Sequence, residues 1–264
     1  MVFPPLSTQP LPIGTPSKGD RADYNFNPLP HSIADNVRLF HPPHDGAHPA
    51  ELFSVGYNKC SLPGCRFIRT DNPRQMLMFI DGACTKNGNS LSRGGCGVVY
   101  TSKLWQQPIS FPLEDDGIAH TNNRAELRAA TLAIGMRVWN GEGFNKVVLA
   151  CNSEYVVKGV CEWLNNWVDN GWKNALGLPV KNRDLWELLL EKLRFQESMG
   201  VLVQFWQIPR EWNEADPYAK LGAKNEKDRT VGPVMQFQLM ERLPEGPPPT
   251  IIFGWRDFQE MMRI

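Results

Sequence analysis

The 264-residue sequence predicts an α/β domain between about residues 76 and 225, flanked by two extensions of irregular character. Three observations support this prediction. Short apolar runs typical of strands alternate there with longer stretches of helical period. The first of these runs ends at Asp81 and Gly82, and the glycine-rich stretch 93–97 follows it. Proline and glycine concentrate outside the patterned region, so the two ends of the chain differ from its middle.

The elements are predicted in chain order from their periodicity. They are strands at 77–81, 95–101 and 108–112, a helix at 124–139, a strand at 146–151, helices at 153–168 and 182–198, a strand at 201–208, and a last helix that starts at Asp216. Residues 1–75 are rich in Pro, His and Asn and show no sustained period, so we expect an irregular leader. Residues 226–264 return to irregular character and form a C-terminal extension.

The composition excludes several classes of protein. No run of about eighteen apolar residues is present, and no charged segment followed by a long apolar stretch opens the chain, so we expect neither a membrane span nor a secretory signal. The six cysteines are thinly spread, which favours a reducing, intracellular compartment such as the nucleus or cytoplasm, with an organelle left open. Lys plus Arg and Asp plus Glu both number 28, so any site for a polyanion must be local.

Three acidic residues stand at the ends of predicted elements. Asp81 follows the first strand, Glu126 is expected in the first turn of a helix that Asn or Thr caps, and Asp216 with Pro217 is expected to cap the last helix. Each also has an ordinary structural interpretation. Asp81 could belong to a hairpin turn, Glu126 could interact with the helix dipole, and Asp216 could act only as an N-cap. Their positions are also compatible with three carboxylates that lie close together at one edge of the sheet, where they could hold two Mg²⁺ ions.

Four sets of residues carry a resemblance to a known family. They are the run 80–84 (IDGAC), the run 121–127 (TNNRAEL), the run 153–157 (SEYVV) with Gly159, and spaced positions between Trp163 and Trp186. Over about residues 76–225 the chain resembles the type 1 ribonuclease H domain family, and it is most similar to the fungal branch. The resemblance implies a ribonuclease H-like fold, with a five-stranded mixed sheet flanked by helices. It also implies cleavage of the RNA strand of RNA/DNA hybrids with two Mg²⁺ ions, for which Mn²⁺ can substitute.

The resemblance carries over to the metal-binding and catalytic acids one residue at a time. Asp81, Glu126 and Asp216 match three of the four, and Asn152 stands where the family has the remaining Asp. One unit charge beside another at 4 Å is worth about 4 kcal/mol at an effective dielectric constant of about 20. The loss of one such charge interaction at Asn152 corresponds to a decrease of roughly three orders of magnitude in the rate of cleavage. Natural loss of activity and a deliberate Asp→Asn change both explain Asn152, and the sequence does not separate them.

The same resemblance suggests residues for recognising the hybrid. A protein distinguishes RNA from DNA by the 2′-OH group in the shallow minor groove, which short polar side chains can probe. Asn87 and Asn122 are candidates for this contact. Thr121 and Asn182 resemble the pocket that holds a DNA phosphate.

A tryptophan-bearing protrusion of the family corresponds to Trp172 and Lys173, which we expect to contact the DNA strand. Trp172 lies in a loop next to Gly171, so we expect it to be exposed, whereas Trp163, Trp167 and Trp186 have the spacing of core residues on amphipathic helices. Residues 154–186 carry equal numbers of basic and acidic side chains, so we expect a weak dependence of binding on salt.

Histidine and cysteine give two weaker signals. Cys60 and Cys65, with His41, His44 and His48 upstream, could be combined into a zinc site, but one loosely spaced pair is a weak pattern. The segment before the last helix lacks the histidine that the family often has there, and Glu211 could take its place. His120 is expected to be an exposed loop residue.

Three hypotheses about function follow. The first is a monomeric endonuclease that acts on RNA/DNA hybrids. The second is a catalytically silent hybrid-binding or interaction domain, because the fourth acid is absent. The third is a protein-binding module whose leader and tail recruit partners that the sequence does not identify. A preference for hybrid over double-stranded DNA would distinguish the first two from the third.

Overall fold

A single mixed sheet organises the described part of the chain, which in this computed structural model comprises residues 35–58, 64–87, 91–103, 107–225 and 250–252. The strands run in the order β5-β4-β3-β2-β1-β8, with β6 beside β3 and β7 beside β6. Their bounds are β1 Phe53–Asn58, β2 Gly64–Arg69, β3 Asn72–Thr85, β4 Arg93–Val99, β5 Ile109–Pro112, β6 Lys146–Cys151, β7 Leu202–Gln207 and β8 Thr250–Ile252.

The five strands predicted from the sequence correspond to β3–β7. β6 has the predicted bounds, and β3 is longer than predicted because it extends at both ends. β3 pairs antiparallel with β4 and parallel with β6, and β6 pairs parallel with β7. The prediction of an α/β fold with a mixed sheet and flanking helices is therefore confirmed, and β1, β2 and β8 extend the five predicted strands to an eight-stranded sheet.

Two further strands form where an irregular leader was expected. β1 and β2 make an antiparallel pair, and β2 continues into β3 through the turn at Thr70 and Asp71. Within the described residues the expectation of irregular chain before residue 76 is therefore wrong for 49–58 and 64–69. β8 adds to the outer edge of β1, and the other residues of the C-terminal extension beyond 225 lie outside the described ranges.

A buried ion pair joins this N-terminal hairpin to the rest of the domain. The Arg66 guanidinium on β2 donates to both carboxylate oxygens of Glu142, at 2.9 and 3.0 Å. Both side chains are almost fully buried, and removal of one partner from such a pair is strongly destabilising. The hairpin is thus part of the folded domain rather than a separate arm.

The helices lie close to their predicted positions. Their bounds are α1 Pro49–Leu52, α2 Asn122–Gly135, α3 Glu154–Lys158, α4 Leu164–Asp169, α5 Arg183–Ser198 and α6 Asp216–Lys224, with short 3₁₀ turns at Asp35–Arg38, Trp139–Glu142 and Arg210–Trp212. α2 ends earlier than predicted, and a π-helical segment, Gly159–Trp163, joins α3 to α4 within the predicted single helix. None of the described helices is long and apolar enough to cross a membrane.

Two clusters of buried apolar side chains lie on opposite faces of the sheet. Alternate residues of a strand point to opposite faces, and Met78 and Ile80 belong to one cluster while Leu77 and Phe79 belong to the other. The first cluster lies under α2 and α5. The second is covered partly by N-terminal residues, including Phe53.

Candidate active site

The parallel strands β3 and β6 bring the first two site residues together, with Asp81 inside β3 and Asn152 directly after β6. These strands are parallel, and Phe79 pairs with Ala150 in the register. Asp81 and Asn152 each lie two residues beyond that pair, so they emerge at the same level of the sheet. This juxtaposition follows from strand direction and register alone.

A glycine allows Glu126 to approach the same point. A Cβ atom added at Gly82 would lie 2.1 Å from the backbone nitrogen of Glu126, which no side chain could tolerate. Helix α2 therefore packs directly on the backbone of β3, next to Asp81. Thr121 is the N-cap of α2, as expected, but the helix begins at Asn122, so Glu126 lies beyond the first turn rather than within it.

A second close approach places Asp216. A Cβ atom at Gly97 of β4 would lie 2.5 Å from the carbonyl oxygen of Ala215. The glycine-rich stretch 93–97 thus lets α6 rest on the backbone of β4. Asp216 is the first residue of α6, and Ala215 is the N-cap, so the expectation that Asp216 caps the helix is wrong.

Asp81 is the most unusual acid of the three. Its side chain is only 2% exposed, and its Oδ2 atom has no hydrogen-bond partner among the described residues. Burial, together with the negative charges of Asp216 and Glu126, raises the pKa of Asp81 to about 7. These charges act on Asp81 because the three acids lie near one another.

Glu126 is held by a serine. Ser153 Oγ donates a hydrogen bond to Glu126 Oε2. Ser153 Oγ also accepts a hydrogen bond from the N–H of Val156 at the start of α3. Burial raises the pKa of Glu126, although the bond from Ser153 opposes this. Ser153 was not among the site residues predicted from the sequence. Its position directly after Asn152, at a helix N-terminus, was the available signal.

Asn152 is held by a second asparagine. Asn213 Nδ2 donates to Asn152 Oδ1 at 2.8 Å and to the carbonyl oxygen of Ile80 at 3.0 Å. Asn213 is buried and also accepts the N–H of Ala215 at 3.1 Å. It therefore ties the ends of β3 and β6 to the segment before α6. Asn213 was not predicted from the sequence.

Asp216 is paired with two cations. Arg210 Nε donates to its Oδ1 atom at 2.8 Å, and Lys220 Nζ donates to its Oδ2 atom. Burial alone would raise the pKa of Asp216, but the hydrogen bonds from Lys220 and Arg210 outweigh it and lower the pKa. Glu211, proposed as a substitute for the missing histidine, is exposed in the adjacent 3₁₀ turn.

The donor set fits a hard cation in part. Within the described ranges, no group of three or more His, Cys, Asp and Glu side chains is arranged to hold a metal ion. Yet the buried Oδ2 of Asp81 beside Glu126 is the kind of oxygen that Mg²⁺ binds. The residues therefore fit a divalent cation at Asp81 and Glu126.

The zinc pattern finds no support in the described residues. Cys65 is buried in β2, and His48 Nδ1 accepts the N–H of Ala50 at the start of α1. Cys60 lies outside the described residues.

The residues expected to recognise the hybrid form two groups. In the first, Asn87 Oδ1 accepts the N–H of Asn122 at 3.2 Å. In the second, Arg124 links Thr121 and Asn182, because its N–H donates to Thr121 Oγ1 at 3.2 Å and its guanidinium to Asn182 Oδ1 at 3.5 Å.

Arg124 was not singled out from the sequence. Its guanidinium is 3% exposed and also binds the carboxylates of Asp116 and Asp184. It joins the N-termini of α2 and α5 and so fixes the second group.

Trp172 is buried, contrary to expectation. Its side chain is only 9% exposed and belongs to the larger core cluster, so the prediction of an exposed Trp172 is wrong. The residue has a positive φ of 64°, in the left-handed region that residues other than glycine rarely adopt. Lys173 is exposed. Trp186 is fully buried, as expected, and Trp163 and Trp167 are half-buried beside it.

His120 also differs from expectation. It is 3% exposed, its Nδ1 atom accepts the N–H of Gly94 at 2.9 Å, and its Nε2 atom lies 3.0 Å from the carbonyl oxygen of Glu114. The histidine therefore has a structural role between β4 and the segment that follows β5.

The fold and the site define a mixed α/β domain with one acidic residue on its central strand and two more on the helices that pack against the sheet. The family model for RNase H matches residues 73–207, and the chain belongs to the RNase H family. Ribonuclease HI of Haemophilus influenzae is 33% identical over 153 residues, which cover 58% of this chain and 92% of the relative. Ribonuclease H1 of Homo sapiens is 31% identical over 158 residues, which cover 58% of this chain and 51% of the relative.

A solved structure is also similar. The solution structure of the PFV RNase H domain aligns with a TM-score of 0.43 at 22% identity, covering 56% of this chain and 93% of that chain.

Proposed function

We propose that this chain hydrolyses the RNA strand of RNA/DNA hybrids with Mg²⁺, at the site formed by Asp81, Glu126, Asn152 and Asp216. The observation that carries the proposal is the buried Oδ2 of Asp81, which has no partner among the described residues and lies near two further acids. Membership of the RNase H family supports the choice of substrate. The names of the relatives, ribonuclease HI and ribonuclease H1, agree with it.

Each residue has a proposed role. Asp81 and Glu126 would hold the ion, and a bound Mg²⁺, or Mn²⁺ in its place, would activate a water molecule and stabilise charge on the phosphate. Ser153 fixes the carboxylate of Glu126. Asn213 fixes the amide of Asn152, so that this side chain points a neutral oxygen where the family has an acid.

The hybrid would lie across the two groups of recognition residues. Asn87 and Asn122 form the candidate contact to the RNA 2′-OH groups, since they are joined by a hydrogen bond at the surface. Thr121 and Asn182, linked by Arg124, form the candidate phosphate contact. Lys173 is the exposed cation of the protrusion, and Trp172 supports that loop from the core.

A second candidate is a hybrid-binding domain without catalysis. Two observations favour it. Asn152 brings no charge to the site, and the carboxylate of Asp216 is already paired with Arg210 and Lys220. Both reduce the negative charge that a dication would meet.

Cleavage and binding measured side by side test the proposal. A hybrid with labelled RNA is incubated with the parent protein, Asn152→Asp and Asp81→Asn, and affinity for hybrid is compared with affinity for double-stranded DNA. We expect a preference for hybrid, and cleavage by Asn152→Asp that is faster than the parent's by up to roughly three orders of magnitude. Asp81→Asn should not cleave.

The alternatives predict other results. Hybrid preference without cleavage by either the parent or Asn152→Asp would establish the silent binding domain. Absence of any preference for hybrid would refute both and favour a protein-binding module.

We also propose that the chain is an intracellular monomer of the fungal branch of the family. The proposed organisation is a leader at 1–75, a ribonuclease H domain at 76–225 and an extension at 226–264. The pairing of β2 with β3 means that part of the leader completes the sheet of that domain.

A further inference from the structure

The segment 209–216, which leads into α6, holds two residues of the site in place. Asn213 donates to Asn152 Oδ1 at 2.8 Å and to the carbonyl oxygen of Ile80 at 3.0 Å. Asp216 ends the segment as the first residue of α6. A displacement of this segment would therefore move the Asn152 amide and the Asp216 carboxylate together.

The backbone hydrogen bonds of this segment are short in range. The N–H of Trp212 bonds to the carbonyl oxygen of Pro209 at 3.0 Å, and the N–H of Asn213 bonds to that of Arg210 at 3.0 Å. They form a single 3₁₀ turn, Arg210–Trp212, and one isolated turn is not stable through its own hydrogen bonds. The position of the segment therefore depends on the packing of its side chains.

Trp212 supplies that packing. Its side chain is half-buried and lies against the second core cluster, to which Phe53 of the N-terminal leader belongs. The imidazole of His48, which is also in the leader, contacts the indole with 4.8 Å between the ring centroids and 64° between the ring planes. Aromatic pairs favour this edge-to-face arrangement. The leader therefore contacts the segment directly next to Asn213.

The ring of His48 is itself fixed by the start of α1. Its Nδ1 atom accepts the N–H of Ala50 at 3.1 Å, and Glu51 Oε1 accepts the N–H of His48 at 3.1 Å. These reciprocal bonds form a capping box, with Pro49 at the start of the helix. His48 therefore has two separable features, an acceptor atom that caps α1 and a ring that packs on Trp212.

A narrow cavity beside this contact shows a second point of approach between the leader and the segment. It has a volume of about 30 Å³ and is lined by His48 and Phe53 from the leader, by Phe67 and Phe79 from the sheet, and by Glu214 from the segment. A space of this size has room for no more than a few water molecules. The leader and the segment therefore lie close together at position 214 as well as at Trp212.

We infer that His48 is a positioning residue for the candidate active site. Its ring holds Trp212 in place, and through Trp212 it sets the positions of Asn213 and Asp216. The inference rests on the proposed function in treating this site as the place of hydrolysis, but the contact itself belongs to the folded protein without substrate. The N-terminal leader is, in this account, part of the support of the site and not only an addition to the sheet.

Hydrogen exchange followed by NMR tests the inference in the free protein, without metal or nucleic acid. His48→Asn keeps a side-chain acceptor that caps helices well and removes the ring. We expect the side-chain N–H groups of Asn213 and the backbone N–H of Trp212 to exchange roughly fivefold faster in this variant, as the loss of one aromatic pair predicts. His48→Phe keeps a ring and removes the acceptor, so the exchange rate at Asn213 should stay at that of the parent.

Two controls separate this local effect from others. His44→Asn makes the same chemical change at an exposed position of the leader and should leave the exchange rate at Asn213 unchanged. The backbone N–H of Leu189, a fully buried residue within α5, reports the overall stability of the domain. Its exchange rate should be the same in the parent and in all three variants.

Three results would overturn the inference. The first is an exchange rate at Asn213 in His48→Asn that equals the parent's. The second is equal acceleration in His48→Phe, because the cap and not the ring would then control the segment. The third is acceleration at Leu189 as large as that at Asn213, which would show a general loss of stability. The measurement needs neither hybrid nor cleavage, so a failure of the proposed function would appear separately, as absence of hybrid preference in the binding assay.

Discussion

Replacement of Asp81 by Asn should stabilise the folded protein above neutral pH. Burial and two neighbouring acids raise the pKa of Asp81 from 3.8 to about 7 in the folded state. The folded protein therefore binds a proton between these pH values that the unfolded chain has released, and its stability falls as pH rises through this window. At 1.36 kcal/mol per pKa unit, the full cost of the buried charge above pH 7 is about 4 kcal/mol.

Asn is a neutral side chain of the same shape, and it keeps an oxygen that can accept the N–H of Gly82. Asp81→Asn should therefore be close to the parent in stability near pH 4, where Asp81 is protonated in the folded state and only partly ionised in the unfolded chain, and exceed it at pH 8. A gain of about 4 kcal/mol corresponds to a rise in melting temperature of roughly 10 °C for a domain of this size.

The measurement is thermal unfolding of both proteins between pH 4 and pH 8 in a metal-free buffer. Asp45→Asn is the control, since it makes the same chemical change in an exposed turn and should show no such dependence on pH. Excess Mg²⁺ should recover part of the difference by stabilising the parent at pH 8, but not Asp81→Asn. A stability difference that is independent of pH, or a variant less stable than the parent at pH 8, would refute the assignment of a costly buried charge to Asp81.

Three further outcomes are expected. Trp172→Ala should lower stability by about 3–5 kcal/mol because it empties a core position, as measured by denaturant unfolding; a change below 1 kcal/mol would restore the exposed interpretation. Lys173→Ala should leave stability unchanged and reduce the slope of hybrid affinity against salt by about one counterion, and an unchanged slope would remove Lys173 from the interface. Deletion of residues 1–75 should leave an unstable domain, since it removes β1, β2 and the partner of Glu142, whereas deletion of 1–34 should not; equal melting temperatures would show that the N-terminal hairpin is dispensable.

The sequence determined the order and position of most elements. β6 was predicted with its observed bounds, and α5 within one residue of its observed bounds. An apolar run and an apolar stripe of helical period are local patterns that can be recognised directly in the sequence. The acids could be found for a similar reason. Asp81 lies in a strand and Glu126 follows a helix cap, so the local elements that carry them can be predicted without the fold.

The N-terminal hairpin was missed for a physical reason. β1 and β2 are six residues each and lack a long alternating pattern, so nothing local distinguishes them from irregular chain. Their stability comes from pairing with β3 and from the buried contact of Arg66 with Glu142, 76 residues away. Contacts between residues so far apart in the chain produce no periodic pattern in the sequence.

The tertiary structure alone decided which partner each site residue has. Asn213 reaches Asn152 from 61 residues away, and Ser153 reaches Glu126 from 27. The burial of Trp172 was likewise decided by tertiary packing, since its indole joins the core from a loop in which the sequence predicted an exposed side chain. Sequence specifies the elements through local periodicity, whereas burial, hydrogen bonds and ion pairs at the site depend on distances that exist only after those elements have packed.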